Sequence, residues 1–429
     1  MKQGWEVKKL VDVCLVERGS FPRPIEKYFT TSEDGVNWIK IGDTKGVDKY
    51  IYSTKEKITK EGAEKSRYVK EGDFLLSNSM SFGRPFIMKT DGYIHDGWFV
   101  LRLHDFIDTE YFYHLLSSPT VQNQIQSLAA GAIVKNISGD LVKKVIVAYP
   151  PLPEQQRIVA ILDEAFAAIT KAKANAEQNL KNAKELFDSY LQSVFENKGE
   201  GWEEKALSKF CEVKDGTHDS PKYVKEGIPF VTQKNIRQDG LSFTDTKFIT
   251  ETDHSKFYKR SNVTFGDILI SMIGANRGMA CIVDDKRVFS IKNVGLIKES
   301  ENINKHFLLY YLKSPLAMRY VLYMSNGGAQ EFIGLTALRN FPIYCPPLKE
   351  QQNIVQKLDA LSAQTKKLEA IYQQHLNDLD ELKKSILQKA FKGELTTVML
   401  QMNLDLAPPP TMELCGISQR LTNRQFHVI

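Results

Sequence analysis

The feature that most constrains this chain is a long repeat. Pro150–Leu191 opens PPLPEQQRIVAILDEA, and Pro346–Leu387 opens PPLKEQQNIVQKLDAL. Gln351 minus Gln155 and Phe391 minus Phe195 both give an offset of 196, so the two copies align without a gap. Repetition on this scale implies one architectural unit used twice.

Each copy reads as a helix. Pro suits the first helical turn, and Glu154 or Glu350 places negative charge near the positive helix end. A 4-3-4-3 spacing then runs through Ile354, Leu358, Leu361, Thr365, Leu368, Tyr372, His375, Leu379, Leu382 and Ile386. At 196 earlier stand Ile158, Leu162, Ala165, Ile169, Ala172, Ala176, Asn179, Ala183, Leu186 and Tyr190. That is a coiled-coil seam in both copies. The first seam is rich in Ala and the second in Leu and Tyr, so small-against-large packing favours pairing the two with each other. At roughly 1.5 Å per residue, each is a rod on the order of 60 Å long. Asn179 and His375 share one seam position and read as polar register-setters.

The globular parts repeat as well. Residues 1–149 read as a mixed α/β domain, with strands expected at Asn37–Ile41, Asp73–Ser77, Pro85–Met88, Trp98–Leu103 and Lys143–Tyr149. A helix is expected over Asp108–Leu116, capped by Asp108. Asn197–Gly201 separates the halves, and the same order then returns. Gly201-Trp202 and Leu207 match Gly4-Trp5 and Leu10 at offset 197, and Gly266-Asp267 matches Gly72-Asp73 at 194. Leu312, Ser314 and Pro315 match Leu116, Ser118 and Pro119 at 196, and Gly327 matches Gly131. The expected architecture is α+β: two mixed α/β domains (1–149 and 197–345) alternating with two long helices (150–196 and 346–395) that pair as an antiparallel coiled coil, in an internal pseudo-twofold repeat. Residues 396–429, with their Pro408-Pro409-Pro410 run and no heptads, are expected to be a poorly ordered tail.

Composition narrows the classes. The chain has 429 residues, room for two or three domains, with a net charge of +5, which suits a polyanionic partner without requiring one. Five cysteines at 14, 211, 281, 345 and 415 form no CxxC pair and read as reduced thiols in a cytoplasmic protein. The N-terminus lacks an apolar signal core, and nothing approaches a membrane-spanning run.

No GxxxxGK[ST] phosphate loop, GxGxxG fingerprint or HxxxH pair is present, so no catalytic or metal-ligating residue is assigned. Pro-Pro-Leu at 150–152 and 346–348 lacks the amide or carboxylate and the aromatic of the amino-methyltransferase motif. The diverged loops offer nucleic-acid chemistry instead. In the second domain these are Thr217, His218, Ser220 and Lys222, then Lys234, Asn235 and Arg237, then Asn276 and Arg277. In the first they are Lys40, Lys45, Tyr52, Asn78, Ser79 and Arg84. Arg and Lys bond guanine O6 and N7, Asn bonds adenine N6 and N7, and Ser, Thr and Lys serve phosphates. Each cluster taken alone is more often a solvated surface loop.

Domains that diverge in their loops and alternate with near-identical rods, each announced by PPLxEQQ, resemble the specificity subunit of type I restriction–modification enzymes. The resemblance covers about residues 1–395. It rests on Pro151–Gln156 with Ile158, Pro347–Gln352 with Ile354, the Asp215–Pro221 loop and the Phe391–Leu395 ending. It implies a non-catalytic subunit whose two target-recognition domains each read one half of a bipartite site on double-stranded DNA. The helical spacer sets the gap and docks two modification subunits, which restriction subunits join. S-adenosylmethionine, ATP and Mg are then expected on those partners and none in this chain. Apolar residues off the seam, namely Ile161, Leu180, Phe187, Leu191, Ile371, Leu376 and Leu387, are the expected docking surface; packing against the chain's own domains competes with that reading. Two further readings stay open: a coiled-coil DNA-binding adaptor outside this family, and a self-contained DNA methyltransferase or nuclease.

Overall fold

The computed structural model describes residues 3–78, 83–130, 138–325 and 332–395. Ser79, Gly131, Gly327 and the 396–429 tail of the sequence reading lie outside them. The chain divides into two compact units, Met1–Glu177 with Gln373–Ile429, and Gln178–Tyr372.

Each unit is built around one antiparallel core sheet. In unit 1 its strands are β1 (Cys14–Arg18), β2 (Phe74–Ser77), β3 (Pro85–Met88) and β4 (Trp98–Leu103), in the order β1-β4-β2-β3. Tyr50–Ile51 adds a parallel edge to β3. In unit 2 the strands are β5 (Val213–Asp215), β6 (Ile268–Ser271), β7 (Ala280–Ile282) and β8 (Val294–Ile297), in the order β5-β8-β6-β7. The two orders are the same.

Both faces of each sheet are covered, which is why these strands read as unbroken apolar runs rather than alternating ones. Phe74, Leu76, Phe99 and Leu101 face a core shared with helices, while Leu75, Phe86, Trp98 and Val100 face a second core. Unit 2 repeats the split, with Ile268, Ile270 and Ile297 on one side and Leu269, Cys281, Val294 and Leu296 on the other. The four described cysteines are buried and unpaired, and burial pushes the thiols of Cys14, Cys211 and Cys281 up to about 12.

The rods are unbroken helices, Leu152–Glu196 and Leu348–Phe391. Within unit 1 the early part of the first packs with the late part of the second. Ile158, Leu162, Ala165 and Ile169 share a core with Leu379, Ile386, Ala390, Phe391 and Leu395, and Lys173 pairs with Asp380. Within unit 2 the late part of the first (Leu191, Phe195) shares a core with the early part of the second (Val355, Leu358). Both segments therefore run antiparallel in each unit.

The PPLxEQQ signature has a structural cause. Gln155 is fully buried; its amide donates to the carbonyls of Phe106 (3.0 Å) and Pro150 (2.8 Å) and accepts from the backbone N–H of Asp108 (2.8 Å). Gln351 donates to the Pro346 carbonyl (2.8 Å) and accepts from the N–H of Asn304 (2.8 Å). Asp108 and Asn304 are themselves the N-caps of helices Thr109–Ser117 and Lys305–Lys313. Each glutamine thus bolts the start of a rod to the start of a helix in its globular part, and no apolar residue can replace those bonds.

Three expected strands come out shorter, of which that at Asp73–Ser77 begins one residue later, at Phe74. The strand expected at Asn37–Ile41 is Val36–Ile39, because the Asp43 carboxylate accepts from the N–H of Lys40 and starts a tight turn. The strand expected at Lys143–Tyr149 is Ile146–Tyr149, preceded by a helix over Gly139–Lys143 that Ser138 caps. The shortened strand pairs with Glu6–Lys9, as Pro342–Cys345 pairs with Glu203–Ala206 in unit 2.

Candidate nucleic-acid interface

The pairings bring three loops together at one end of each core sheet. In unit 1, Gly19 follows β1 and donates its N–H to the Trp98 carbonyl at the start of β4 (2.8 Å). Asn78 follows β2 and donates its N–H to the Gly97 carbonyl (2.9 Å), and Gly83 precedes β3 and donates to the Ser77 carbonyl (3.0 Å). In unit 2, Gly216 donates to Val294 (2.9 Å) and Gly278 to Ser271 (2.8 Å) in the same places. Neither Gly19 nor Gly216 has room for a β-carbon, which would collide with the backbone of His95 or Ile291. Gly83 and Gly278 have φ of +74° and +85°, a left-handed conformation that costs glycine least. Behind them, Ile125 and Val321 occupy equivalent places on helices Pro119–Ala130 and Pro315–Met324.

On this shared backbone the side chains differ. Unit 1 carries Arg18-Gly-Ser-Phe-Pro-Arg-Pro24 where unit 2 carries Asp215-Gly-Thr-His-Asp-Ser-Pro221. In unit 1, Arg23 pairs with Asp96 (2.9 Å) and lies over the Phe21 ring, which is edge-on to His95 and tilted against Trp38. Arg18 and Asn78 both donate to the Asp96 carbonyl. Burial holds His95 below its ordinary value, against the pull of Asp96.

In unit 2 the buried Asp215 carboxylate takes both arms of Arg260, at 2.8 Å each. His218 bridges Asp215 (3.1 Å) and Asn293 (2.7 Å), so both ring nitrogens are used. Lys256 bonds Asp219, holding its carboxyl below the usual range, and Lys292 donates to Ser220 (2.6 Å). A forked Arg–carboxylate pair on a buried carboxylate at the base makes this loop the better fixed of the two.

Residues 2–179 and 199–377 each match the family described as the type I restriction modification DNA specificity domain. The chain belongs to this family. It is 24% identical over 419 residues to the type I restriction enzyme MjaIX specificity subunit of Methanocaldococcus jannaschii, covering 91% of this chain and 93% of that one. It is 26% identical over 329 residues to the EcoBI specificity subunit of Escherichia coli, covering 70% and 69%. Its fold resembles the crystal structure of the HsdS subunit from Thermoanaerobacter tengcongensis, with a TM-score of 0.62 at 22% identity over 92% of this chain and 98% of that one. The chain is accordingly a DNA-specificity subunit and not the catalytic part of a type I enzyme.

Against this geometry the sequence-assigned positions of the specificity subunit separate. Arg84, Lys222 and Asn276 are exposed on or beside the three loops, with Arg277 half-buried and donating to the Gly274 carbonyl. Ser220 and His218 lie on the first loop of unit 2, and Lys40 is close enough to His95 to depress its protonation. Asn78, Thr217 and Asn235 are corrections, since all three are buried and spent on the frame. Asn235 bonds the Ser242 carbonyl, Thr246 and the N–H of Thr232, and Thr217 accepts from the N–H of Asp219. Tyr52 follows a strand paired at Met88, the far end of β3, and is 68% exposed away from the loops. Lys45 and Lys234 are exposed beside tight turns, and Arg237 lines a separate groove with Asp284 and Arg287.

The sequence reading passed over Phe21, Arg23 and Asp96. Aligning residues 18–24 with 215–221 at offset 197 was the available signal, carried by Gly19 with Gly216 and Pro24 with Pro221. Among the expected docking residues, Ile161 and Leu387 belong to the core of unit 1 and Leu191 to that of unit 2, with Phe187 packed against the latter. Their own unit covers Ile161, Leu191 and Leu387, which present no free surface, while Phe187 stays half-buried. Leu180, Ile371 and Leu376 stay half-buried. Among the described residues, no helix is long and apolar enough to cross a membrane, and no acidic, His or Cys cluster is placed to hold a metal.

Proposed function

We propose that each unit reads one half of a bipartite site on double-stranded DNA with the three-loop end of its core sheet. The observation that carries this is one backbone frame bearing two unrelated side-chain sets. Such a frame lets base contacts change without refolding the sheet, which is what two different half-sites demand. Arg23, Arg84 and Lys40 supply the positive rim in unit 1, and Lys222, Lys256 and Lys292 in unit 2; phosphate contacts of this kind position the duplex while the loops specify it.

The rods set the gap between half-sites, a reading supported by two helices of matched length and no interruption. Two modification subunits dock on the rods, around Leu180, Ile371 and Leu376, and restriction subunits join them. S-adenosylmethionine chemistry and the work driven by ATP and Mg belong to those partners, and the complex acts in the cytoplasm, where the DNA is.

Methylome sequencing of cells carrying this chain with its partner subunits tests the reading. Exchanging residues 10–145 for the equivalent segment of a relative is expected to change one half-site and leave the other. Inserting one heptad at matched points in both rods lengthens the gap and keeps both halves. A hybrid in which both half-sites change together overturns the assignment of one half per unit.

A further inference from the structure

We infer that Phe332 is an apolar wedge that unit 2 sets against the base stack of its half-site. This rests on the reading of the three-loop end as the DNA surface. Phe332 is bridged to Ile273 at the start of the loop that carries Asn276 and Arg277, so it stands at that same end of the sheet. Its backbone is fixed: the next residue, Ile333, is fully buried and donates its N–H to the Met272 carbonyl at 2.8 Å. Anchored there, Phe332 nevertheless leaves 56% of its surface in solvent. A large apolar side chain held outward on rigid backbone has paid its ordering cost before any partner arrives.

The surroundings favour DNA as that partner. Phe332 adjoins a loop rimmed by Arg277, and Lys222 and Lys292 lie across the same sheet end. An apolar side chain among cations is the arrangement by which proteins unstack a base step while binding the flanking phosphates. At 196 earlier the sequence has Asn136, next to Ile137, which matches Ile333. The position that matches Phe332 in the first repeat thus carries no aromatic side chain.

The test uses the whole chain assembled with its modification subunits and duplexes carrying its own target, with 2-aminopurine placed in turn through each half-site. Phe332→Ala is expected to weaken binding roughly ten-fold, and to abolish a 2-aminopurine fluorescence rise confined to the half-site of unit 2. Phe332→Leu, which keeps the apolar bulk, retains much of both. Unchanged affinity and fluorescence in Phe332→Ala, while Lys222→Ala and Asn276→Ala weaken binding, overturns the wedge and leaves the loop reading standing. If none of the three weakens binding, the loop reading itself fails and takes the wedge with it. Failure of Phe332→Ala to assemble with modification subunits, while the free chain stays folded, assigns the residue to a protein contact and overturns the proposal.

Discussion

Arg18 and Asp215 stand at the last positions of equivalent strands, and they build opposite electrostatics on one backbone. Around Arg18 the loop contacts are exposed: Arg23 is 74% exposed at its side chain and meets Asp96 at the surface. Around Asp215 they converge on a buried carboxylate, only 6% exposed, which accepts from Arg260 and His218. The hydrogen bonds that seat Gly19 and Gly216 are the same in both. Fold in these units is therefore carried by backbone bonds, glycine clearance and buried apolar strands, while charge and shape at the loop end are free to diverge. That is the division of labour a specificity subunit needs.

The strongest way to break the equivalence of the units is to remove what only one of them borrows. Unit 1 takes Leu379, Ile386, Leu387, Ala390, Phe391 and Leu395 from the far end of the chain. Ending the chain after Tyr372 removes burial worth on the order of 10 kcal/mol, comparable to the whole stability of a domain. Hydrogen exchange is expected to show the strands of unit 1 unprotected and those of unit 2 still protected. Retained protection in β2 and β4 would show that unit 1 closes without the second rod.

Gln155 and Gln351 give a smaller and symmetrical effect. Replacing either by Leu strands buried carbonyl and N–H groups, at a cost of about 3 kcal/mol. Denaturant unfolding followed by domain-resolved exchange is expected to locate each loss in the unit that owns the glutamine. A loss under about 1 kcal/mol in either would mean water satisfies those groups.

The two glutamines also mark what the sequence made legible. PPLxEQQ, the seam and the apolar strand runs were readable because burial and helical period leave marks in residue type at fixed spacing. Ile158, Leu162, Leu358 and Leu379 sit where their spacing placed them. The loop end was only partly readable. Asn78, Thr217 and Asn235 have the chemistry of base contacts but are consumed by backbone groups, Asn78 by the Asp96 carbonyl distant in sequence and Thr217 and Asn235 by groups of their own turns. Phe21 and Arg23, in the irregular Ser20-Phe21-Pro22-Arg23-Pro24 stretch, carry no periodic signal. Leu191 and Leu387 were assigned outward because a heptad describes one helix pair and says nothing of the globular core that covers the remaining face.

A pH difference sharpens the comparison further. His114 in unit 1 faces Asp163, and the corresponding Tyr310 in unit 2 donates to Asp359 at 2.6 Å. Burial, aided by Lys49, pushes His114 down to about 4, against the pull of Asp163. The unfolded chain takes up this proton first, so the stabilising contribution is complete above the ordinary histidine range near 6.5. It is lost as pH falls from there towards 4. Unit 1 is expected to lose about 2 kcal/mol over that window relative to unit 2, and His114→Tyr to remove the difference. An acid profile unchanged by that substitution would place the sensitivity elsewhere.

The finest contrast lies between Arg260 and Arg23, equivalent in service to their loops but not in burial. Arg260→Gln removes a bidentate partner from a carboxylate that water reaches poorly. The guanidinium is itself about half exposed, so the expected loss is about 1–2 kcal/mol, well below that of a fully buried pair. The first loop of unit 2 should loosen with it, seen as faster exchange at the N–H groups of Gly216 and Thr217. Arg23→Gln breaks only a surface pair and is expected to change stability by less than about 0.5 kcal/mol. Under the proposed reading its consequence falls on DNA binding instead: one phosphate or base contact fewer, a shallower salt dependence, and weaker binding through the half-site of unit 1 alone. The two variants should thus differ in kind, one moving loop order and the other only affinity. Equal losses of stability in both would mean that the burial of Asp215 does not set these loops apart.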